Sequence, residues 1–121
     1  MSDFVDYLHE LFEGFGPIHA KRMFGGYGIY RDELMFGLVA DDTLYLKADA
    51  ESRHHFEQAG MPPFEYMRGG KPMHLSYFQA PATALDNAEE AAHWARLAFA
   101  AALRARAAKN AKASKKRKTR P

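Results

Sequence analysis

The run Arg22-Met23-Phe24-Gly25-Gly26-Tyr27-Gly28-Ile29-Tyr30 places three glycines within four residues among large apolar side chains. Each glycine in a regular element costs roughly 0.5–1 kcal/mol of conformational entropy, so such a cluster marks backbone that passes somewhere tight. The pattern predicts a bulge or sharp bend between two strands. A phosphate-cradling loop would need G-x-G-x-x-G between a strand and a helix, whereas Tyr27 to Tyr30 read on as another strand. The glycines are therefore expected to maintain the fold, and Gly26→Val to fail by misfolding.

Around this bend the periodicity alternates between helix and strand. Phe4, Val5, Leu8, Leu11, Phe12 and Phe15 recur at helical spacing, with Ser2 or Asp3 as N-cap and Gly14, Gly16 and Pro17 ending the pattern. Four short strands follow near 18–24, 27–31, 34–40 and 43–48, joined by the glycine bend and by Asp32-Glu33 and Asp41-Asp42. Connections of two residues force antiparallel neighbours. In the fourth strand Leu44 and Leu46 alternate with Thr43, Tyr45 and Lys47, as in a sheet covered on one face. Asp49 caps a second helix near 50–59, which Gly60 and Pro62-Pro63 end. Strands near 64–68 and 73–79 flank Gly69-Gly70-Lys71-Pro72. Asp86 and Glu89 then form a capping box for a long helix whose stripe is Trp94, Leu97, Ala98, Ala101 and Ala102. The order α-β4-α-β2-α predicts an α+β two-layer sandwich of antiparallel sheet and helices.

The net charge of +2 conceals an asymmetry: residues 1–103 hold 8 Lys/Arg against 15 Asp/Glu, and residues 104–121 hold 9 Lys/Arg against none. The chain divides accordingly into a folded domain over 1–103 and a basic Ala/Lys/Arg-rich tail over 104–121, expected to fray from helix into disorder. The tail cations are Arg104, Arg106, Lys109, Lys112, Lys115, Lys116, Arg117, Lys118 and Arg120. Two readings of such a block stand side by side: a solvated extension or charge partner for the protein's own acidic body, with no external ligand, and a nucleic-acid arm that contacts phosphates without reading sequence. Absence of cysteine, of a signal segment and of an apolar run of membrane length points to the cytoplasm and away from a membrane.

Catalytic chemistry finds little support. His9, His19, His54, His55, His74 and His93 lack the spacing that sets two imidazoles on one helical face, so no metal or other cofactor is expected. Ser2, Ser52, Ser76 and Ser114 sit in no nucleophile motif, and Asp41-Asp42 and Glu89-Glu90 occupy turn and cap positions. The chain is read as non-enzymatic. Tyr27, Tyr30, Phe36, Tyr45, Phe64, Tyr66, Tyr77 and Phe78 all fall on strands, and about half must face the helices. The others form an apolar patch suited to a partner or a second copy of the chain, and an aromatic sheet face is also the kind that stacks nucleobases.

The glycine run, Leu34-Met35-Phe36-Gly37-Leu38, Leu44-Tyr45-Leu46-Lys47, Asp49, Pro62-Pro63-Phe64 and Tyr66 together resemble, in order and spacing, the N-terminal domain of the TfoX/Sxy family. The resemblance covers residues 3 to 103, with Arg22, Met23, Phe24, Gly25, Gly26, Tyr27 and Gly28 as its core motif. It implies a bacterial protein related to regulators of natural competence, which act in gene activation with the cAMP receptor protein. Those regulators carry a second, C-terminal domain, for which the residues after 103 leave no room. The resulting expectation is a transcription regulator whose body binds a protein partner while the tail adds sequence-independent affinity for DNA. Two alternatives stand beside it. One is an enzyme or small-molecule binder with its pocket at the Gly25–Gly28 bend, and the other a protein-interaction module whose tail only solubilises.

Overall fold

A computed structural model describes residues 3–23 and 25–118, with side-chain surroundings for all of these except 73–75 and 114–118. Among the described residues the elements are α1 (Asp3–Leu11), β1 (His19–Met23), β2 (Gly26–Arg31), β3 (Leu34–Ala40), β4 (Thr43–Lys47), α2 (Arg53–Gln58), β5 (Pro63–Arg68), β6 (Lys71–Gln79), α3 (Ala82–Asp86) and α4 (Ala88–Lys118). The expected α+β class and antiparallel sheet are present. The strands form one sheet in the order β1-β2-β3-β4-β6-β5, each pair antiparallel. The chain leaves the meander after β4, passes through α2 and starts β5 at the sheet edge. β6 then returns between β5 and β4.

The hairpins follow from their turns. Asp32-Glu33, Asp41-Asp42 and Gly69-Gly70 each have two consecutive residues at positive φ, the primed geometry whose twist matches that of the flanking strands. At the glycine run, Met23 pairs with Gly26, so Phe24 and Gly25 make a two-residue connection, with Gly25 at φ 79°. Phe24 lies outside the described residues. Gly26 answers a different demand: a Cβ there would stand 2.0 Å from the Val39 carbonyl oxygen, a backbone atom that cannot swing aside.

Helices cover one face of this sheet. Leu8 and Leu11 of α1, Phe56 of α2, Ala84 of α3 and Ala91, Ala92, Ala95, Ala98 and Ala102 of α4 share one core with Ile29, Phe36, Val39, Leu44, Leu46 and Phe78. The alternation in β4 holds, with Leu44 and Leu46 buried and Thr43, Tyr45 and Lys47 half-buried. A register shift opposite Ile29 and Tyr30 leaves Phe36 unpaired on β3 and turns it inward with Gly37. The buried Phe36 ring then packs 5.9 Å from Phe12, 5.1 Å from Phe15 and 6.2 Å from Phe99. A second aromatic group forms where Phe56 stacks on Phe78 at 5.4 Å and leans on Trp94 at 5.0 Å.

The structure departs from the sequence pattern at the helix ends and turns. The long helix is capped one residue later than the sequence pattern suggested, because Asn87 Oδ1 accepts the Glu90 amide at 2.9 Å while Asp86 ends the short helix α3. Helix α3 was hidden by its length, five residues running almost directly into α4, and is tied to α1 by a hydrogen bond from the Tyr7 hydroxyl to the Leu85 carbonyl. Asp49 caps a turn at 49–52 rather than α2 itself, accepting the amides of Glu51 and Ser52, while buried Ser52 Oγ accepts the Asp49 amide in return. Helix α4 continues through the basic segment to Lys118, as its alanine content favours.

Two stability measurements follow from this geometry. Gly26→Val should fail to give a cooperative melt, or should lose at least about 3 kcal/mol, because the new side chain must displace β3; an unchanged melting temperature would contradict the close approach. Glu33, at φ 65°, is the more strongly left-handed residue of its turn, and Glu33→Gly should raise the unfolding free energy by ~0.5–1 kcal/mol, read as a higher denaturation midpoint at unchanged m-value.

Candidate nucleic-acid interface

The basic segment starts from an anchored point. Arg104 Nε donates to Asp49 Oδ2 at 2.6 Å, Nη2 donates to Asp49 Oδ1 at 3.0 Å, and Nε lies 3.0 Å from Glu51 Oε2. This paired fork is the strong form of the Arg–carboxylate contact. The hydrogen bond from Arg104, supported by those from Ser52, holds the Asp49 carboxyl down at about 2 against the opposing effect of burial, and Asp49 in turn raises the Arg104 pKa. Arg104 is thus engaged by Asp49 and Glu51 of the body. The charge asymmetry of the sequence allowed a tail cation to pair with the acidic body, but spacing did not single out these two residues, which lie 55 residues apart.

Beyond the anchor the helix stands clear. Arg106, Lys109 and Lys112 are exposed, as are the alanines between them. The side chains of Lys115, Lys116, Arg117 and Lys118, and all of Arg120, lie outside the described residues. With a rise of about 1.5 Å per residue, the 31 residues of α4 extend roughly 46 Å, and among the described side chains those packed in the core lie in its first half. The result is a cationic rod projecting from an acidic helix layer.

The motif residues Arg22, Met23, Gly25, Gly26 and Tyr27 line a crevice of about 390 Å³ in which Arg22 is the one charged side chain. Beside it, on the sheet face without helices, Met23, Met35, Leu38, Phe64, Tyr66 and Arg68 bound a groove of about 600 Å³. Gly28 lies under this surface, where a Cβ would meet Met23 Cε at 2.8 Å and Met35 Sδ at 3.0 Å. Across the same face Lys47 Nζ sits 5.3 Å from the Tyr77 ring; burial lowers the Lys47 pKa and raises that of Tyr77 to about 12. No three His, Cys, Asp or Glu side chains gather for a metal among the described residues. Nor is any helix among them long and apolar enough to cross a membrane.

Comparison with known proteins agrees with the motif reading. The family model described as the TfoX N-terminal domain matches residues 10–102. The chain is 30% identical to the DNA transformation protein TfoX1 of Aliivibrio fischeri, over 77% of this chain and 50% of that protein. It is 24% identical to Protein Sxy of Escherichia coli, over 78% of this chain and 46% of that protein. The chain therefore spans about half the length of the curated relatives it matches.

The Asp49–Arg104 bridge has a defined pH signature. A carboxyl whose folded pKa is depressed from 3.8 to about 2 stabilises the fold above pH 4 and loses that contribution as pH falls through 2. Asp49→Asn should cost on the order of 1 kcal/mol at pH 7, allowing for solvent screening, and the gap to the parent protein should close between pH 4 and 2 in denaturation experiments. A gap independent of pH would remove the bridge as its cause.

Proposed function

The chain belongs to the TfoX N-terminal domain family, and from that premise we propose that it is a non-enzymatic regulator of transcription, in the competence-related class to which a relative's name refers. Its folded body docks a protein partner, and the projecting end of α4 adds sequence-independent affinity for duplex DNA. The observation that carries the reading is the clamp at Arg104, which releases the exposed cations Arg106, Lys109 and Lys112 from the body on a helix rather than folding them back onto its carboxylates. Phosphate contacts of this kind position a protein without reading bases. The exposed acids of α1, Asp3, Asp6 and Glu10, repel a duplex and leave target choice to the partner.

A second reading, a small-molecule site, has the apolar groove beside Gly26 in its favour. Thermal stabilisation of the protein in a metabolite screen would support it.

The DNA reading is tested by fluorescence anisotropy with a labelled duplex. If about four phosphates are neutralised, affinity should fall on the order of 100-fold between 50 and 200 mM salt. The quadruple variant Lys109→Gln, Lys112→Gln, Lys115→Gln and Lys116→Gln should flatten that dependence; identical curves for variant and parent would reject the role of the tail.

A further inference from the structure

The net negative charge of the body hides a separation between its two layers. The six strands carry Lys21, Arg22, Arg31, Lys47, Arg68 and Lys71 against a single acid, Glu65. Most acids lie on the helices and their connections. Register then assigns the strand cations to faces. Lys21 stands opposite Gly28, which is opposite Leu38, which is opposite Tyr45, so Lys21 and Tyr45 share the helix-free face. Lys47 is opposite Tyr77, and Lys71 is opposite Arg68, whose side chain lines the groove. Glu65 alternates with Phe64 and Tyr66, and belongs to the other face.

Two cations of this face lie against rings, Lys21 over half-buried Tyr30 and Lys47 over buried Tyr77, and Lys47 also feels the Asp49 carboxylate. Lys21 Nζ lies 4.9 Å from the Tyr30 ring centre, and Lys47 Nζ 5.3 Å from that of Tyr77. The β5 edge curls inward so that Phe64 meets Tyr45 edge-on at 4.8 Å and stacks with Tyr66 at 6.2 Å. The half-buried Tyr30, Tyr45 and Tyr66 of this face stand among Lys21, Lys47, Arg68 and Lys71, with acids only at the hairpin turns 32–33 and 41–42, and a face-to-face second copy would set those cations against their own kind. The face also suits a duplex poorly, since stacked bases present no ring faces to a sheet.

From this charge complementarity we infer that the helix-free sheet face binds single-stranded nucleic acid, its tyrosines stacking on unpaired bases and its lysines and arginine meeting phosphates. This combination of aromatic platform and cationic rim is how single strands are held without strict sequence readout. The site is separate from the tail, which meets duplex and single strand alike. A strand crossing the face would run past the apolar groove, where Met23 and Met35 adapt to bases of different size.

The experiment uses the full chain at 200 mM salt, where the tail contributes least, with a labelled 12-nucleotide single strand and the duplex of the same sequence. The single strand should bind about 10-fold or more tightly than the duplex. Tyr66→Leu with Tyr30→Leu should abolish that preference, on the scale of about 5- to 100-fold per stacked base. The exposed pair Lys21→Glu and Arg68→Glu should do the same without touching the core, which covers failure of the tyrosine variant to fold. The tail glutamine variant should lower both affinities together and leave their ratio. Equal binding of single strand and duplex by the parent protein overturns the inference, whatever the tail does. So does a result in which the face variants leave oligonucleotide binding intact but lose an amphipathic Glu/Leu peptide, which would make the face a protein-docking surface.

Discussion

The seating of α4 on β3 and β4 is the contact on which the rest of the molecule depends. Ala91, Ala95, Ala98 and Ala102 are buried with the sheet's Val39, Leu44 and Leu46, so the helix presents almost no side-chain bulk and its backbone lies close to the strands. Larger groups are needed only at the margins, where Phe99 joins the cluster of Phe12, Phe15 and Phe36, and Trp94 joins Phe56 and Phe78. The Arg31 guanidinium closes the first cluster, 4.5 Å from the Phe15 ring centre and 5.2 Å from that of Phe99. With α4 in place the remaining helices have one face to share, and the opposite face of the sheet stays bare.

That seating also sets the electrostatics. It brings Arg104 against the turn after β4, where Asp49 is already oriented by its exchange of hydrogen bonds with Ser52. The bridge thus joins the end of the packed helix to a preorganised carboxylate, and beyond it Arg106, Lys109 and Lys112 are exposed. On the far side, strand register sorts Lys21, Lys47 and four tyrosines to the bare face, while all acids but Glu65 lie on the helices, their connections and two hairpin turns. A domain with net negative charge therefore offers two positive elements, one a helix and one a sheet face.

Much of this was legible in the chain. The amphipathic spacing of Phe4 to Phe15, the alternation of Leu44 and Leu46, the two-residue acidic turns and the glycine cluster each reflect interactions among near neighbours, and the elements they predict are present. The motif residues also identified the family. Where the reading slipped, the competing signals were local and nearly degenerate. Asp86 and Asn87 are both good caps, and the choice fell to Asn87 because Asp86 is used by α3. Asp49 looked like the cap of α2, but the interval before Arg53 holds a separate turn.

By itself the sequence determined the α+β class, the positions of the hairpins and the split between an acidic body and a basic end, because periodicity, turn chemistry and charge are properties of short stretches of chain. Only the tertiary structure decided that β6 lies between β4 and β5, that Phe36 bulges inward, that Arg104 is held by Asp49, and that the strand cations share a face with tyrosines. Each of these joins residues whose mutual distance depends on how whole elements pack, and neither composition nor spacing carries that information.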